Sequence, residues 1–547
     1  MAHMKGLSKT RGRLLLRIII PAYPTFNIYS FVADKTTSLG PIYIASSAKE
    51  VEGWEVEVID ENNLRRHGPI DSDGGADHET LQQMRPADVV GFYGGLTSTI
   101  PRIYTLARFY KQKGVLTVAG GQHFVEETIP EALSRDIDYL VLGEGEQTIK
   151  ELLRILKSGG DLHSVRGLVF KENSRIVNTG LRPPVQDLDA LPLPDFSLIR
   201  YAKIEIFPVG RVRGCGMNCE FCTVKGRPRY ASPERLVDQI TRLVETMGAR
   251  EFFIVDDLFG QDRKETLRLC RMLEEYQKHI AKRLSITIQI RLDKARDEEL
   301  LKAMRKAGIK TVAVGFESPI KEELQAMNKR LKPEEMLSLA KKFRKFGFFV
   351  HGMFIFGYPM RQGSRFHMTV DQRIKRFKKF IKKARIDTIQ LMMPVPLPGT
   401  ELRTRLSEQN RIYHLKDLGW EYYDGNFPLI EPDEPLTSDE MQLALRKIMG
   451  RFYNIRCHFM FMINLISFPQ LLFYFYNVKS GWKSWYRRWR NYIIRICGRR
   501  ILKAWTSQLY KGTFFEKLKN AKSHIKTKAN PVDETRHPVK QPPMIHG

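Results

Sequence analysis

The chain has 547 residues, 42% hydrophobic and 27% charged, with 89 Lys and Arg against 61 Asp and Glu for a formal net charge of +28. That length exceeds one ordinary domain and that apolar content excludes global disorder, so two or three folded units are expected. The positive balance points to a polyanionic partner: nucleic acid, an anionic membrane or a phosphorylated substrate.

Met1-Ala-His-Met4 reads as an expression remnant, and residues 1–13 as a flexible start. The apolar run that begins at Leu14 has no small-residue cleavage site after it, so it reads as a strand and the protein as cytoplasmic. From residue 14 to 160, strand-like runs alternate with helical spacing. Strands are predicted at Leu15–Ile20, Glu55–Ile59, Val89–Tyr93, Leu116–Ala119 and Tyr139–Leu142. Helices are predicted at Ile42–Val51, Thr99–Gln112 and Glu127–Ser134. Such alternation builds a parallel, doubly wound sheet, whose ligands sit at the turns after the strands. Those turns hold Gly40, then Gly94, Gly95 and Thr97, then Gly120, Gly121 and His123, then Gly143 and Glu144. Alone, the glycines mean only tight turns.

Residues 161–204 read as a linker, because Arg182-Pro-Pro-Val185 and Leu191-Pro-Leu-Pro-Asp195 are Pro-rich and extended. A second alternation fills 205–400. Its strands are predicted at Ile204–Val212, Glu251–Val255, Ser285–Ile290, Thr311–Gly315, Phe348–Phe356 and Thr388–Met392. Ser232-Pro233-Glu234 supplies an N-cap with Pro at the first helical position. Six strand–helix units make a partial parallel barrel, with chemistry at the carboxyl ends of its strands.

After the first of these strands comes Arg213-Gly-Cys215-Gly216-Met-Asn-Cys219-Glu-Phe221-Cys222. Three thiolates in eight residues can hold three irons of a [4Fe-4S] cube and leave the fourth open. A structural zinc site prefers four ligands in two spaced pairs, and no second pair stands nearby. A disulfide reading leaves one thiol over. The other cysteines, Cys270, Cys457 and Cys497, are scattered singles that read as small buried apolar residues.

Cys215-x3-Cys219-x-Phe221-Cys222 resembles the signature of the radical S-adenosylmethionine (SAM) enzymes. The resemblance implies that the open iron chelates SAM, which is cleaved to a 5′-deoxyadenosyl radical, and that flavodoxin or ferredoxin supplies the electron. It also implies SAM-binding roles for Gly216 and Phe221 in the loop, Asp256 and Asp257 near the amino group, and Glu317 in Gly315-Phe-Glu-Ser318 near the ribose. Gly352-Met-Phe-Ile-Phe-Gly-Tyr-Pro359 resembles the motif behind the adenine. Arg291 could pair with a carboxylate or phosphate, and the Asp pair reads equally as an acidic first turn of a helix. Upstream, Gly120-Gly-x-His123, Pro130-Glu131 and Gly143-Glu-Gly-Glu146 resemble the cobalamin-binding domain that precedes many radical SAM domains. That likeness implies a corrin over the turns and its nucleotide tail in the sheet. The Asp-x-His-x-x-Gly motif of other cobalamin enzymes is absent, and the nearest stretch, Asp60-Glu-Asn-Asn-Leu64, has no His in place. Cobalamin without a protein His ligand is therefore expected.

Beyond Pro394-Val-Pro-Leu-Pro-Gly-Thr400 a helical, basic region is expected over 401–527, then a disordered tail over 528–547. Trp420, Tyr422, Tyr423 and Phe427 read first as packing and second as a substrate mouth. The run Phe459–Val478 approaches the roughly 20 residues of a membrane span, but Pro469 and basic flanks argue against crossing. With Trp482, Trp485, Trp489 and the interleaved arginines it reads as a helix lying on an anionic membrane; a packed subdomain is the other reading. No RNA-binding module accompanies the charge, which counts against nucleic acid. The combined expectation is a cobalamin-dependent radical SAM enzyme, peripheral at the inner face of the cell membrane. Its family resemblance implies a C-methyltransferase using two SAM molecules, one to methylate cobalamin and one to make the radical. Its substrate is expected to be hydrophobic or lipid-like. The alternative is an oxidative cyclase or ring-rearranging enzyme of the same architecture.

Overall fold

The computed structural model describes residues 12–31, 33–364, 366–454, 478–511 and 513–529. It contains two sheets that share one core, with helices covering both.

The first sheet starts with β1 (Leu14–Ile20), whose seven residues are all buried. Leu14, Leu16, Ile18 and Ile20 pack on one face and Leu15 and Ile19 on the other, as a central strand of a parallel sheet requires. The exception in the run, Arg17, is fully buried and held by Glu57 at 2.7 Å and by the Leu81 carbonyl at 3.0 Å. Around β1 stand β2 (Trp54–Asp60), β3 (Val89–Tyr93), β4 (Leu116–Gly120), β5 (Tyr139–Val141), β6 (Leu168–Glu172), β7 (Arg175–Asn178) and β8 (Ile199–Arg200). Their order is β7-β6-β5-β4-β3-β1-β2-β8, parallel except at β5–β6 and β6–β7. The order reverses at β1, between β2 and β3, which is where doubly wound sheets open a ligand crevice.

The stretch expected to be a linker, 161–204, contributes three short strands, β6, β7 and β8, to this sheet. Asn173 and Ser174, both at positive φ (47° and 65°), make the two-residue hairpin turn between β6 and β7. Residues 199–200 pair with β2 on the far edge.

The second sheet runs β16 (Thr388–Met392), β15 (Phe349–Ile355), β14 (Ile309–Glu317), β13 (Ser285–Ile290), β12 (Glu251–Phe259), β9 (Ile206–Val209), all parallel. This is the partial barrel. The expected strand 204–212 is broken after Val209, and its remainder, β10 (Val212–Arg213), turns off to pair antiparallel with β11 (Arg229–Tyr230). Cys270 is buried as expected. Cys497 is exposed, because its side of the C-terminal helix faces outward, and Cys457 lies outside the described residues.

The C-terminal region is helical: Glu401–Glu408, Ser438–Phe452, Val478–Lys511 and Phe514–Ala529. Among the described residues no helix is long and apolar enough to cross a membrane. The run 459–477 lies outside them, as do the side chains of Trp482, Trp485 and Trp489 and residues 530–547. From Arg490 the long helix packs on the barrel: Asn491 donates to Asp387 at 2.7 Å, and Trp505 is fully buried. That portion rests in part on protein. Trp420, Tyr422, Tyr423 and Phe427 are buried as well, which makes them core.

Candidate functional site

The β10–β11 pair closes the cysteine loop at its base, and the loop is tied down from several directions. Gly214 and Gly216 have φ of 86° and 68°. A Cβ at Gly214 would stand 2.7 Å from the Arg227 carbonyl oxygen, so only glycine lets the two arms close. Gly214 N–H donates to Asp257 Oδ2 at 2.7 Å, and Gly216 N–H to the Gly226 carbonyl at 3.0 Å. The middle of the loop is clasped through Glu220, which is buried. Its carboxylate accepts from Arg405 at 2.7 and 3.0 Å and from the Tyr358 hydroxyl at 2.7 Å. Its backbone bonds to Met327 and Leu402. Phe221 packs edge-on against Tyr358.

Cys215, Cys219 and Cys222 are free thiols of intermediate burial. Burial raises the Cys219 thiol, while the Lys329 and Arg291 charges act in the opposite sense; Cys222 is likewise raised by burial. Among the described residues no three His, Cys, Asp or Glu side chains are gathered around a point as for a single metal ion. Three thiols spread over one anchored loop, beside two cations, could hold a larger anionic cluster.

The carboxylates at the strand ends divide by backbone irregularity. The register of β12 against β13 shifts between Ile254 and Phe259, and such bulges re-aim side chains. Asp256 points into the protein, where Oδ1 accepts from the Arg211 and Val212 N–H groups at 2.7 and 2.9 Å; burial pushes its carboxyl up to about 6. Asp256 thus braces the β9–β10 break, and only Asp257 lines the cavity described next. Glu317, at a second register shift with φ 58°, pairs with Lys329 at 2.7 Å. Arg291 reaches Met217 in the cysteine loop and Asp293.

One cavity of about 960 Å³ lies between the carboxyl ends of the two sheets. Gly40, Gly120, Gly121, Gly143 and Glu144 line it from the first sheet, and Gly214, Thr223 and Lys225, which flank the cysteines, from the second. It continues as a slot past Leu16, Ile18, Gly91 and Val118 on the sheet face. Gly121 has φ 123°, and a Cβ there would sit 2.6 Å from the Gly94 carbonyl carbon. Gly121 thus lets the two turns close on each other, and the glycines of the first sheet together with the slot are where a flat macrocycle with a tail could be held.

Gly94, Gly95, Thr97 and His123 stand behind that wall. Gly94 N–H donates to Gly120 and His123 N–H to Gly94, tying the two turns together. The His123 ring lies against Trp420 at 4.8 Å with Nδ1 3.3 Å from Thr97 Oγ1. Burial, helped by the Arg403 charge, lowers it to about 3, so it is neutral. The loop after β1, residues 21–38, contains no His at all.

Sequence reasoning missed the clamp between the sheets. Arg213 and Arg229 reach Glu144 at 3.4 and 2.6 Å, and Arg213 also reaches Glu146 at 2.6 Å. It missed Glu220–Arg405 too. These partners are far apart in sequence and carry no local signal.

The B12 binding domain model matches residues 31–153, and the Radical SAM superfamily model matches residues 210–373. An uncharacterized methyltransferase of Pyrococcus horikoshii is 30% identical over 454 residues, 80% of this chain and 93% of that protein. The chain belongs to the cobalamin-dependent radical SAM enzymes. As a member of that family it takes a [4Fe-4S] cluster, SAM and cobalamin. The anaerobic magnesium-protoporphyrin IX monomethyl ester cyclase of Cereibacter sphaeroides is 26% identical over 69% of this chain and 61% of its own length. The hopanoid C-2 methylase of Rhodopseudomonas palustris is 27% identical over 51% and 50%. The fold is shared with the radical SAM methyltransferase TsrM of Kitasatospora setae, solved with cobalamin and a [4Fe-4S] cluster bound. The TM-score is 0.57 at 18% identity, covering 73% of this chain and 78% of that one.

Proposed function

We propose that this enzyme methylates an unactivated carbon of a hydrophobic, lipid-like substrate. The observation that carries the reading is the half-open cavity that touches both the glycine turns and the residues flanking the cysteines, so two cofactors and a substrate can meet in one space. Bound there, the cluster supplies the electron that cleaves SAM, and cobalamin supplies a methyl group that a substrate carbon radical can accept. The chain's own part is placement. Cys215, Cys219 and Cys222 hold the cluster, Asp257 fixes the loop backbone beside it, and Glu144 with Arg213 and Arg229 ties the turn after β5 to the β10–β11 pair at the base of the cysteine loop. Support for methyl transfer comes from the Pyrococcus horikoshii methyltransferase, and for a lipid-like substrate from the hopanoid methylase.

The cyclase of Cereibacter sphaeroides supports a second reading, an oxidative cyclisation in the same cavity. One experiment separates them. The enzyme, reconstituted anaerobically with iron, sulfide and cobalamin, is incubated with deuteromethyl SAM and a lipid extract. Methyl transfer yields S-adenosylhomocysteine, 5′-deoxyadenosine and a deuterated product by mass spectrometry. 5′-Deoxyadenosine with neither of the others overturns it in favour of the second reading.

A further inference from the structure

The net charge is not spread evenly over the described surface. The helix Val370–Ala384, which covers β15 and β16, carries Lys375, Arg376, Lys378, Lys379, Lys382 and Lys383 on its outer side and only Asp371 as an acid. Arg385 follows at its end, in the left-handed conformation and exposed. Among the described residues none of these seven forms an ion pair with a carboxylate. Lys375 and Lys379, Lys378 and Lys382, and Lys379 and Lys383 each stand one helical turn apart, where like charges repel.

Neighbouring helices add to the field instead of cancelling it. Ser438–Phe452 packs alongside and brings Arg451, and Lys447 with its partner Asp371 at 3.9 Å, towards Lys378, whose ammonium is lowered by burial and then by those two cations. Pro333–Lys345, on the other flank, presents Lys341 and Lys345. Elsewhere on the barrel several cations are matched: Arg263 with Asp297, Arg268 with Glu265, Lys278 with Glu274, Arg242 with Asp238. Seven cations crowded without carboxylate partners on one helix and its end cost stability and call for a partner.

The position of the face selects among polyanions. Arg385 and Asp387 lead into the amino end of β16, so the face extends to the pole of the barrel opposite the cysteine loop. An electron donor seated there would be separated from the cluster by the length of the barrel. At the same pole, where the Tyr453 hydroxyl meets Ile389, the described chain breaks off shortly before the most apolar run of the sequence. The described chain stops at Asn454, next to Arg451, and the helix that resumes at Val478 lays Asn491 on Asp387 and Arg495 on the Ile386 carbonyl. A cationic face beside the ends of an apolar run has the chemistry of a lipid surface.

We propose that the outer face of the helix Val370–Ala384, flanked by Lys447 and Arg451, docks the enzyme on the headgroups of an anionic bilayer. The inference extends the lipid-substrate reading to a partner surface, and the two fail separately, since product formation in detergent tests the chemistry and sedimentation tests the face. Deleting 451–527 would remove the buried Trp505, Phe514 and Leu518, so substitutions are preferable. The holoenzyme is sedimented with vesicles of phosphatidylcholine alone, or of equal parts phosphatidylcholine and phosphatidylglycerol. The variant K375Q/R376Q/K379Q/K382Q/K383Q, checked for unchanged iron, cobalamin and melting temperature, is run alongside. The wild type is expected to bind only the anionic vesicles, with binding reduced about 30-fold or more in the variant. Should the variant fail to fold, the wild type alone is expected to lose binding in about 1 M NaCl, where screening is nearly complete. Equal binding to both vesicle types, or by wild type and variant, overturns the proposal. So does a variant that binds vesicles normally but is reduced more slowly by flavodoxin, or a wild type that binds RNA and neither vesicle.

Discussion

Asp60 and Glu61, adjacent at the end of β2, are both buried and titrate in opposite senses. Burial raises Asp60 to about 6, because its hydrogen bonds from Thr37 and Asn62 are neutral. Burial would raise Glu61 too, but bonds from His78 and Arg102, with the Arg102 charge, hold it down at about 2. A carboxyl lowered in the folded state adds stability that is complete above its unfolded value, near 4.5, and drains away as pH falls toward 2. The difference in unfolding free energy between wild type and E61Q should therefore shrink by about 2 kcal/mol from about pH 5 to pH 3. Denaturant titrations at several pH values read it, and a pH-independent difference would refute the assignment. Gly121 gives a residue-scale test of the cavity. G121A forces a Cβ against the Gly94 backbone and should weaken cobalamin retention about tenfold. G114A shares the positive φ but meets nothing within 4 Å, so by absorbance it should retain cobalamin like the wild type.

At the scale of elements, the cysteine loop owes its shape to contacts outside itself. R405M leaves the buried Glu220 carboxylate with only the Tyr358 hydroxyl and the more distant Arg361 at 3.9 Å, a loss of about 2–3 kcal/mol. The double variant E220Q/R405M removes the stranded charge and should recover part of it. Denaturation midpoints, iron per chain and the paramagnetic resonance of the reduced cluster report this; additive single and double effects would contradict it. The elements themselves were legible to different degrees. Predicted strands such as Ser285–Ile290 and Thr388–Met392 coincide with β13 and β16, because apolar alternation is a local property. The hairpin β6–β7 was not legible: its second strand is largely exposed, and its turn is Asn-Ser without a glycine. Asp256 and Asp257 looked alike in sequence. The register of β12 on β13 turns one inward and one to the cavity, and register against a neighbour is not written in either residue. The cysteine triplet was readable because its ligands lie within eight residues, whereas its clasp, Glu220 to Arg405, spans 185 positions.

For the whole molecule, the C-terminal helices are structural parts of the two sheets' shared core. Trp505 is fully buried although it lies near the end of the chain. W505A should cost about 3–5 kcal/mol and lower the melting temperature of the whole enzyme. An unchanged melting curve would mean that the region is an independent appendage. The cap is tied to the first sheet as well: Trp420 Nε1 donates to Glu131 at 3.0 Å, and Arg403 donates to Glu127 at 2.6 Å.

Phe26 stacks on Tyr422 at 5.3 Å and meets Phe427 edge-on, while Phe514 packs on both of those rings at 4.8 and 4.5 Å. One aromatic cluster thus joins the first loop of the chain to its last helix. On the ribosome the loop after β1 emerges early, but its ring has no complete socket until residue 514 has cleared the exit tunnel. The first sheet must wait through most of translation with that apolar patch uncovered, a situation that invites chaperone capture. Any fusion or truncation that delays or removes the last helix prolongs that wait, so nascent chains released early should be the ones that aggregate.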